Sequence, residues 1–155
     1  MATNIQKWLD DYLAAWNSHD VEKIASFFTD ECVYEDVALG KINRGKEELK
    51  AFITATFNAI PDFKLELKSS FSAGEWMATE GDMSGKQAGE YFGIPATGKR
   101  FSVRGASILE LRGGMIRRNS DYYNGASVLQ QVGLLPTAPP NWFGRFMIRM
   151  LMKRA

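Results

Sequence analysis

Residues 113–136 read GGMIRRNSDYYNGASVLQQVGLLP, and the rest of the chain is best interpreted outward from this stretch. A Gly113-Gly114 turn leads into a predicted strand, which is followed by a short helical segment that ends at Pro136. The strand places one carboxylate, Asp121, among amide and aromatic side chains near its end. A carboxylate that faces a closed apolar space has a raised pKa, which suits it to proton transfer near neutral pH.

The sequence allows two interpretations of Asp121: a carboxylate that faces a pocket, or a carboxylate on the protein surface. Strand alternation groups Asp121 with Arg117, Asn119 and Tyr123 on one face. Asp121 could therefore be the exposed partner of Arg117 in a surface ion pair worth at most about 1 kcal/mol. Asp36 is a second carboxylate of interest at the end of the first predicted strand, where the simpler expectation is that it starts a loop.

Size and charge limit the classes of protein. The 155 residues fit one domain, which is long enough to bury about two-thirds of the surface that the unfolded chain exposes. Lys and Arg number 19 against 18 Asp and Glu, a net charge of +1, so no overall field attracts nucleic acid. We expect a single domain that binds no nucleic acid.

The sequence has few side chains that could bind a metal ion or form a disulfide. Cys32 is the single cysteine, so the chain forms no internal disulfide and no multi-cysteine zinc site. His19 is the single histidine. No apolar segment follows a basic start at the N-terminus, and no window approaches ~18 continuous apolar residues. We expect a cytoplasmic protein that uses no metal and no other cofactor.

Periodicity predicts three helices in the first part of the chain. The first helix has apolar residues at helical spacing from Ile5 to Trp16. Asp20 caps a shorter second helix, whose inner residues are Val21, Ile24, Ala25 and Phe28. A third helix presents Leu49, Phe52, Ile53, Phe57 and Ile60 on one face and ends at Pro61.

Strand patterns dominate the remainder. A first strand is predicted around residues 32–37, followed by a loop from Gly40 to Gly45. Four later strands are predicted at 63–70, 75–83, 99–111 and 115–123, joined by Gly-rich turns. This order predicts an α+β fold in which three N-terminal helices cover the concave face of a bent, mostly antiparallel sheet.

Such a layout encloses a space between its two layers. The aromatic side chains predicted to face that space are Tyr12 and Trp16 of the first helix, Phe52 and Phe57 of the third helix, and Tyr34 of the first strand. An aromatic residue at helical spacing belongs to a filled core more often than to a pocket. The sequence leaves both interpretations open.

Several stretches resemble one family. They are Trp16-Asn-Ser-His-Asp20, Phe57-Asn-Ala-Ile-Pro61-Asp62, Gly89-Glu-Tyr-Phe-Gly93-Ile-Pro95-Ala-Thr-Gly98-Lys99, and Asp121-Tyr-Tyr-Asn124 followed by Gln130-Gln-Val-Gly133-Leu-Leu-Pro136. Together with the order of elements, they make the chain similar to the SnoaL-like polyketide cyclases of the nuclear-transport-factor-2-like superfamily. The resemblance covers about residues 3–136 and implies a cone-shaped α+β barrel.

The resemblance also implies a chemistry. In the cyclases, an aspartate on the last strand is the general acid/base of an intramolecular aldol closure, and Asp121 is the matching position. Ser107 stands where the cyclases typically carry a histidine, and Met83 stands where they often carry a second one. Both differences make the predicted pocket more apolar.

The resulting functional hypothesis is a cofactor-free acid/base enzyme of the cyclase or isomerase type, acting on a small apolar, polycyclic or polyketide-like molecule. Asp121 would be the acid/base, Ser107 and Asn119 would orient a carbonyl or enol, and Met83 would complete the wall. The alternative is a binding or carrier protein with the same fold, which the residues at 107 and 83 favour.

The last predicted segment is separate from the cone domain, which spans residues 1–136. Residues 137–155 form a Pro-rich joint and an amphipathic basic tail, in which Arg145, Arg149 and Lys153 share one face. Docking on its own domain or on a dimer partner is favoured over an anionic membrane surface for this tail. We expect a homodimer formed through the open sheet face, which would bear Leu109, Leu111 and Ile116.

Overall fold

The computed structural model describes residues 2–137 and the single residue Arg149, with side chains described from residue 5. The predicted basic tail therefore lies outside the described residues, apart from Arg149. Within the described part of the chain, no helix has the length and apolar character needed to cross a membrane.

Helices and strands follow the predicted order, with one additional strand. Their bounds are α1 Ala2–Asn17, α2 Val21–Ala25, β1 Phe28–Asp36, β2 Lys41–Arg44, α3 Gly45–Ala59, β3 Lys64–Ala73, β4 Trp76–Lys86, β5 Arg100–Arg112, β6 Met115–Tyr123 and α4 Gly125–Gln131.

The six strands form one sheet in the order β2-β1-β6-β5-β4-β3. Every pair of neighbours is antiparallel except β1 and β6, which run parallel. Helix α1 contacts β3 at one side of the sheet, and α3 contacts β1 at the other. The predicted α+β fold, with its curved and mostly antiparallel sheet and its three N-terminal helices, is confirmed.

A single core joins the helices to one face of the sheet. Leu9 of α1, Leu49 and Ile53 of α3, and Leu109 and Ile116 of the sheet are each at most 2% exposed. Burial of a side chain of this size stabilises the fold by about 1.5–3 kcal/mol. These residues recur at helical spacing in α1 and α3, which explains why the helix predictions succeeded.

Two details of the predicted elements were wrong. Phe28 does not belong to the second helix, because α2 ends at Ala25 and Phe28 begins β1. Lys41–Arg44 is a strand, although the sequence suggested only a loop there. That strand is short and at the sheet edge, and its single aliphatic residue, Ile42, is 48% exposed, so no alternation of apolar residues marks it.

A β-bulge in β6 changes which residues share a face. Glu110 pairs with Arg118 and the next residue, Leu111, pairs with Ile116, so Arg117 is the extra residue of the bulge. Arg117 is exposed, and its guanidinium binds both carboxylate oxygens of Glu110 at 2.9 and 2.7 Å. The suggested surface pair between Arg117 and Asp121 is therefore wrong.

The outer face of the sheet also differs from the expectation. Leu109 is 1% exposed and Ile116 is fully buried, so these two residues pack in the core rather than on an open face. The outer face instead exposes Phe71 (73%), Trp76 (47%) and Ile108 (37%). If the protein dimerises through its sheet, these three side chains are the apolar surface that the partner would cover.

Candidate functional site

A cavity of about 470 Å³ lies between the helices and the inner face of the sheet. This volume is in the range of small-molecule sites. Five of the predicted wall residues line it, namely Tyr12, Trp16, Tyr34, Phe52 and Met83. Leu39 and Leu135 also line it and are 37% and 39% exposed, which places them at its opening. The structure thus contains a pocket and not a filled core.

Phe57 was predicted to be a wall residue but lies outside the cavity lining. Its ring stacks on His19 at a centroid distance of 4.3 Å and meets the edge of Trp16 at 5.9 Å. On the cavity side of α3 lie Phe52, which was also predicted, and Thr56, which was not. Phe57 is one position beyond Thr56, and a rotation of about 100° per residue turns it toward the connection between α1 and α2.

Asp121 lines the cavity from near the end of β6, and three side chains of the protein donate hydrogen bonds to it. Ser107 Oγ donates to Oδ1 at 2.6 Å, and Asn119 Nδ2 donates to the same oxygen at 2.7 Å. The Tyr34 hydroxyl donates to Oδ2. Burial raises the pKa of Asp121, and the three donors oppose that rise because they stabilise the carboxylate.

The two residues predicted to assist Asp121 have different positions. Ser107 lies directly opposite Asp121 in the β5–β6 register and lines the cavity. Asn119 is 2% exposed and lies outside the cavity lining. Asn119 therefore positions Asp121 from behind, whereas Ser107 can also reach a bound molecule.

Two tyrosines surround Asp121 on the cavity side. Burial, together with the negative charge of Asp121, raises the pKa of Tyr34 and of Tyr12 above the usual value of a phenol. Both hydroxyls therefore stay protonated at neutral pH and are able to donate hydrogen bonds. The carboxylate thus lies among donors at a site whose remaining wall is mostly apolar.

Asp36 forms a second polar cluster on the same cavity wall. Asp36 is 6% exposed and is the register partner of Asp121 across the parallel β1–β6 pair. Its Oδ1 accepts from the Leu39 N–H at 2.9 Å, and its Oδ2 accepts from the Tyr123 hydroxyl at 3.0 Å. Burial raises the pKa of Asp36 to about 6, with the charge of Asp121 acting in the same direction.

A glycine keeps Tyr123 in place. Gly105 lies opposite Tyr123 in the β5–β6 register. A Cβ atom at Gly105 would come within 2.9 Å of the Tyr122 carbonyl oxygen and 3.2 Å of the Tyr123 Cβ. The absence of a side chain at residue 105 thus leaves room for the aromatic ring that reaches Asp36.

The loop between β4 and β5 supplies site residues that pattern analysis missed. Tyr91 lines the cavity, and its hydroxyl lies 3.0 Å from Thr56 Oγ1 on α3. Gln87 holds the loop by donating to the Pro95 carbonyl at 3.1 Å and by accepting from Thr97 Oγ1 at 2.9 Å. Tyr91 lies in the Gly- and Pro-containing stretch that carried the family resemblance, and Gln87 lies two residues before that stretch. No periodicity marks either residue as part of the cavity.

His19 and Cys32 have structural positions. His19 Nε2 lies 2.8 Å from the Phe63 carbonyl oxygen, in the turn between the first two helices. Cys32 is fully buried in β1, and burial raises the pKa of its thiol. Among residues 5–137, no three His, Cys, Asp or Glu side chains converge in a way that could hold a metal ion.

Comparison with known proteins places the chain in a family. The model of the SnoaL-like polyketide cyclase family matches residues 6–132. Among characterised proteins, the cyclase aurE of Calcarisporium arbuscula is 28% identical over 120 residues, which cover 73% of this chain and 82% of that protein.

Solved structures agree with this match. TsrD of Streptomyces laurentii is 26% identical, with a TM-score of 0.76 over 86% of this chain and 97% of its own. A Catenulispora acidiphila protein with a ketosteroid isomerase-like fold, solved in complex with trimethylamine, is also 26% identical, with a TM-score of 0.73 over the same shares. The chain belongs to the SnoaL-like polyketide cyclase family.

Proposed function

We propose that this protein is a cofactor-free acid/base enzyme of the cyclase or isomerase type. Its substrate is a small apolar molecule of polycyclic or polyketide-like character that carries a carbonyl group. The observation that supports this proposal most strongly is the position of Asp121, a partly buried carboxyl in the wall of a mostly apolar cavity. Membership of the cyclase family supports the same reaction class.

In the proposed reaction, the Asp121 carboxylate takes a proton from a carbon next to the substrate carbonyl. The C–H bond breaks, its electron pair moves to the carbonyl oxygen as an enolate, and the proton stays on Asp121. A cyclisation follows when the enolate carbon attacks a second carbonyl, after which Asp121 returns the proton to the new alkoxide. Ser107 and Asn119 hold Oδ1, so Oδ2 is the oxygen that exchanges the proton.

The alternative function is a binding protein for a small apolar ligand, and one observation favours it. Both oxygens of Asp121 already accept hydrogen bonds from the protein, an arrangement that would also satisfy a purely structural carboxylate. Ser107 and Met83 add no group that exchanges protons near neutral pH. The cavity would then bind its ligand without chemistry.

Proton exchange in a model ketone separates the two functions. We expect the wild-type protein to accelerate the exchange of the α-protons of 2-tetralone in D₂O, followed by NMR. Asp121→Asn should lower that acceleration by about 10²- to 10⁴-fold, the usual contribution of a general acid/base, while 2-tetralone still binds. Asp11→Asn, at an exposed position of α1, is the matched control. Saturable binding with no acceleration by the wild-type protein would favour the binding alternative.

Two further parts of the proposal concern the state of the protein. We propose a homodimer in which the outer sheet face, with Phe71, Trp76 and Ile108, meets the same face of a second copy. The apolar exposure of that face supports this arrangement. We also propose a cytoplasmic location, which the low cysteine content supports, because Cys32 is the single cysteine of the sequence.

A further inference from the structure

The cavity contains a second polar cluster that the proposed reaction at Asp121 does not use. It consists of Asp36, Tyr91 and Tyr123, which belong to β1, the β4–β5 loop and β6, and all three line the cavity. Tyr123 and Asp36 are joined by a hydrogen bond of 3.0 Å, and Tyr91 is joined to Thr56. We refer to these three residues as the Asp36 subsite.

Counting donors and acceptors shows what the subsite can bind. Thr56 Oγ1 donates its proton to the Phe52 carbonyl at 2.9 Å, so the contact of 3.0 Å between Thr56 and Tyr91 requires the Tyr91 hydroxyl to be the donor. The Tyr123 hydroxyl proton is used on Asp36. With these protons committed, the phenol oxygens and the carboxylate offer only lone pairs to the cavity.

The Asp36 carboxylate can accept further hydrogen bonds. The Asp36 carboxylate accepts from the Leu39 N–H and the Tyr123 hydroxyl, and the Ala38 N–H also interacts with it, whereas a carboxylate has about four acceptor positions. A buried acceptor of this kind lowers its free energy when a donor reaches it. The partner that fits is therefore a hydroxyl group, such as a phenol or an enol.

The spacing of the two carboxyls restricts the ligand further. Asp36 and Asp121 are register partners on neighbouring strands, and neighbouring strands lie about 4.8 Å apart. Oxygens in a 1,3 relation on one ring can match that separation. A molecule with two such oxygens can contact both carboxyls at the same time.

We propose that the Asp36 subsite binds a second, hydroxyl-bearing oxygen of the ligand, so that the protein selects apolar ring compounds with 1,3-related oxygens. The ligand hydroxyl donates to Asp36 while a second oxygen lies at Asp121. This inference depends on the proposed function only in taking the cavity as the ligand site.

The charged and titratable groups that face Asp36 determine how the subsite responds to pH. They are Asp121 and Tyr123 on β6, Tyr34 on β1 and Tyr91 on the β4–β5 loop. The pKa of each of these tyrosines is raised above the usual phenol value of about 10, so none of them ionises between pH 4.5 and 7.5. A change in hydroxyl binding over that range would therefore report on the carboxyls.

The test compares naphthalene, 2-naphthol and naphthalene-1,3-diol by isothermal titration calorimetry. We expect the second hydroxyl to tighten binding to the wild-type protein by about 10-fold at pH 7.5, the usual size of a hydrogen bond to a charged group. This gain in affinity from the second hydroxyl should be smaller at pH 4.5, where Asp36 is protonated. In Asp36→Asn the gain should be about threefold or less and should not change with pH.

Two more variants separate binding at Asp36 from the roles of Tyr91 and Asp121. Tyr91→Phe should leave most of the gain in affinity, because the ligand hydroxyl donates its one proton to Asp36 and not to Tyr91. In Asp121→Asn the gain in affinity should still be lost when Asp36→Asn is added. Loss of proton exchange is the readout for the function of Asp121, so failure of one proposal is distinguishable from failure of the other. Equal gains in wild type and in a folded Asp36→Asn protein, or no binding of any of the three compounds, would overturn the inference.

Discussion

Ser107 and Asp121 lie directly opposite each other on β5 and β6, and the serine hydroxyl donates to Oδ1 of the carboxylate at 2.6 Å. This contact holds Oδ1, whereas Oδ2 accepts a hydrogen bond from the Tyr34 hydroxyl. A serine can hold the carboxylate in this way but cannot replace it as a proton carrier near neutral pH.

Replacement of Ser107 by alanine tests the holding role. Ser107→Ala should lower the free energy of unfolding at pH 7 by roughly 1–3 kcal/mol, because a hydrogen bond to a buried carboxylate is lost. The loss should shrink in acid, where Asp121 is protonated. Urea denaturation at several pH values measures this effect. Ser102→Ala is the matched control, since Ser102 is exposed on the same strand and its bonds to Gln131 use backbone atoms.

The raised pKa of Asp36 predicts how stability changes with pH. An aspartate has a pKa of about 3.9 in the unfolded chain, and burial raises that of Asp36 to about 6 in the folded protein. Between these values the folded state binds more protons, so the free energy of unfolding should fall as pH rises from about 4 to about 6. Two pKa units correspond to a fall of about 3 kcal/mol at most.

Asp36→Asn should remove this part of the pH dependence. The measurement is the free energy of unfolding of both proteins at intervals from pH 4 to pH 7, with exposed Asp11→Asn as the control. Parallel curves for wild type and Asp36→Asn would show that the Asp36 carboxyl titrates at its ordinary pKa and is not desolvated.

Fluorescence quenching tests the position of the pocket. Trp16 lines the cavity, whereas Trp76 is on the outer face of the sheet. A ketone such as 2-tetralone quenches tryptophan on contact, so its bound form should quench Trp16. We expect the quenched fraction to fall in Trp16→Phe and to persist in Trp76→Phe. Equal quenching of wild type and Trp16→Phe would mean that the ligand binds elsewhere.

Sedimentation velocity tests the proposed dimer. The wild-type protein should sediment as two chains at micromolar concentration, and Phe71→Asp should sediment as one, because a charge would be placed in the centre of an apolar interface. Ile5→Asp changes an exposed apolar residue of α1 and should leave the dimer intact. A wild-type monomer throughout that concentration range would contradict the proposal.

Much of the fold was predictable from the sequence because it depends on periodicity. The buried faces of α1 and α3 repeat at helical spacing, and the Gly113-Gly114 turn marks the β5–β6 hairpin. The resemblance matched Ser107 to the histidine position of the cyclases. Counting back from the turn alone would place Ala106 opposite Asp121, and Ser107 lies there because the bulge at Arg117 shifts the register by one residue. The bulge at Arg117 was not predictable in the same way, because it depends on how Glu110 and Leu111 pair across the strands.

The site was predictable only in part. Tyr12, Trp16 and Tyr34 face the cavity as expected, but periodicity could not distinguish Phe52 from Phe57 as the wall residue of α3. Asp36 and Tyr91 come together through tertiary packing of β1 against a loop more than fifty residues away in the chain. No local pattern records such a contact.

The carboxyl pKa of Asp121 is the measurement that tests the central claim most directly. ¹³C NMR titration of the side-chain carboxyls, with the Asp121 signal assigned by its absence in Asp121→Asn, gives this pKa without any substrate. The structure predicts a pKa above the ordinary value of about 3.9, because burial outweighs the three donors at this carboxyl. A pKa at or below that value would show a solvated or fully stabilised carboxylate, and would contradict the role of Asp121 as the acid/base of an apolar cavity.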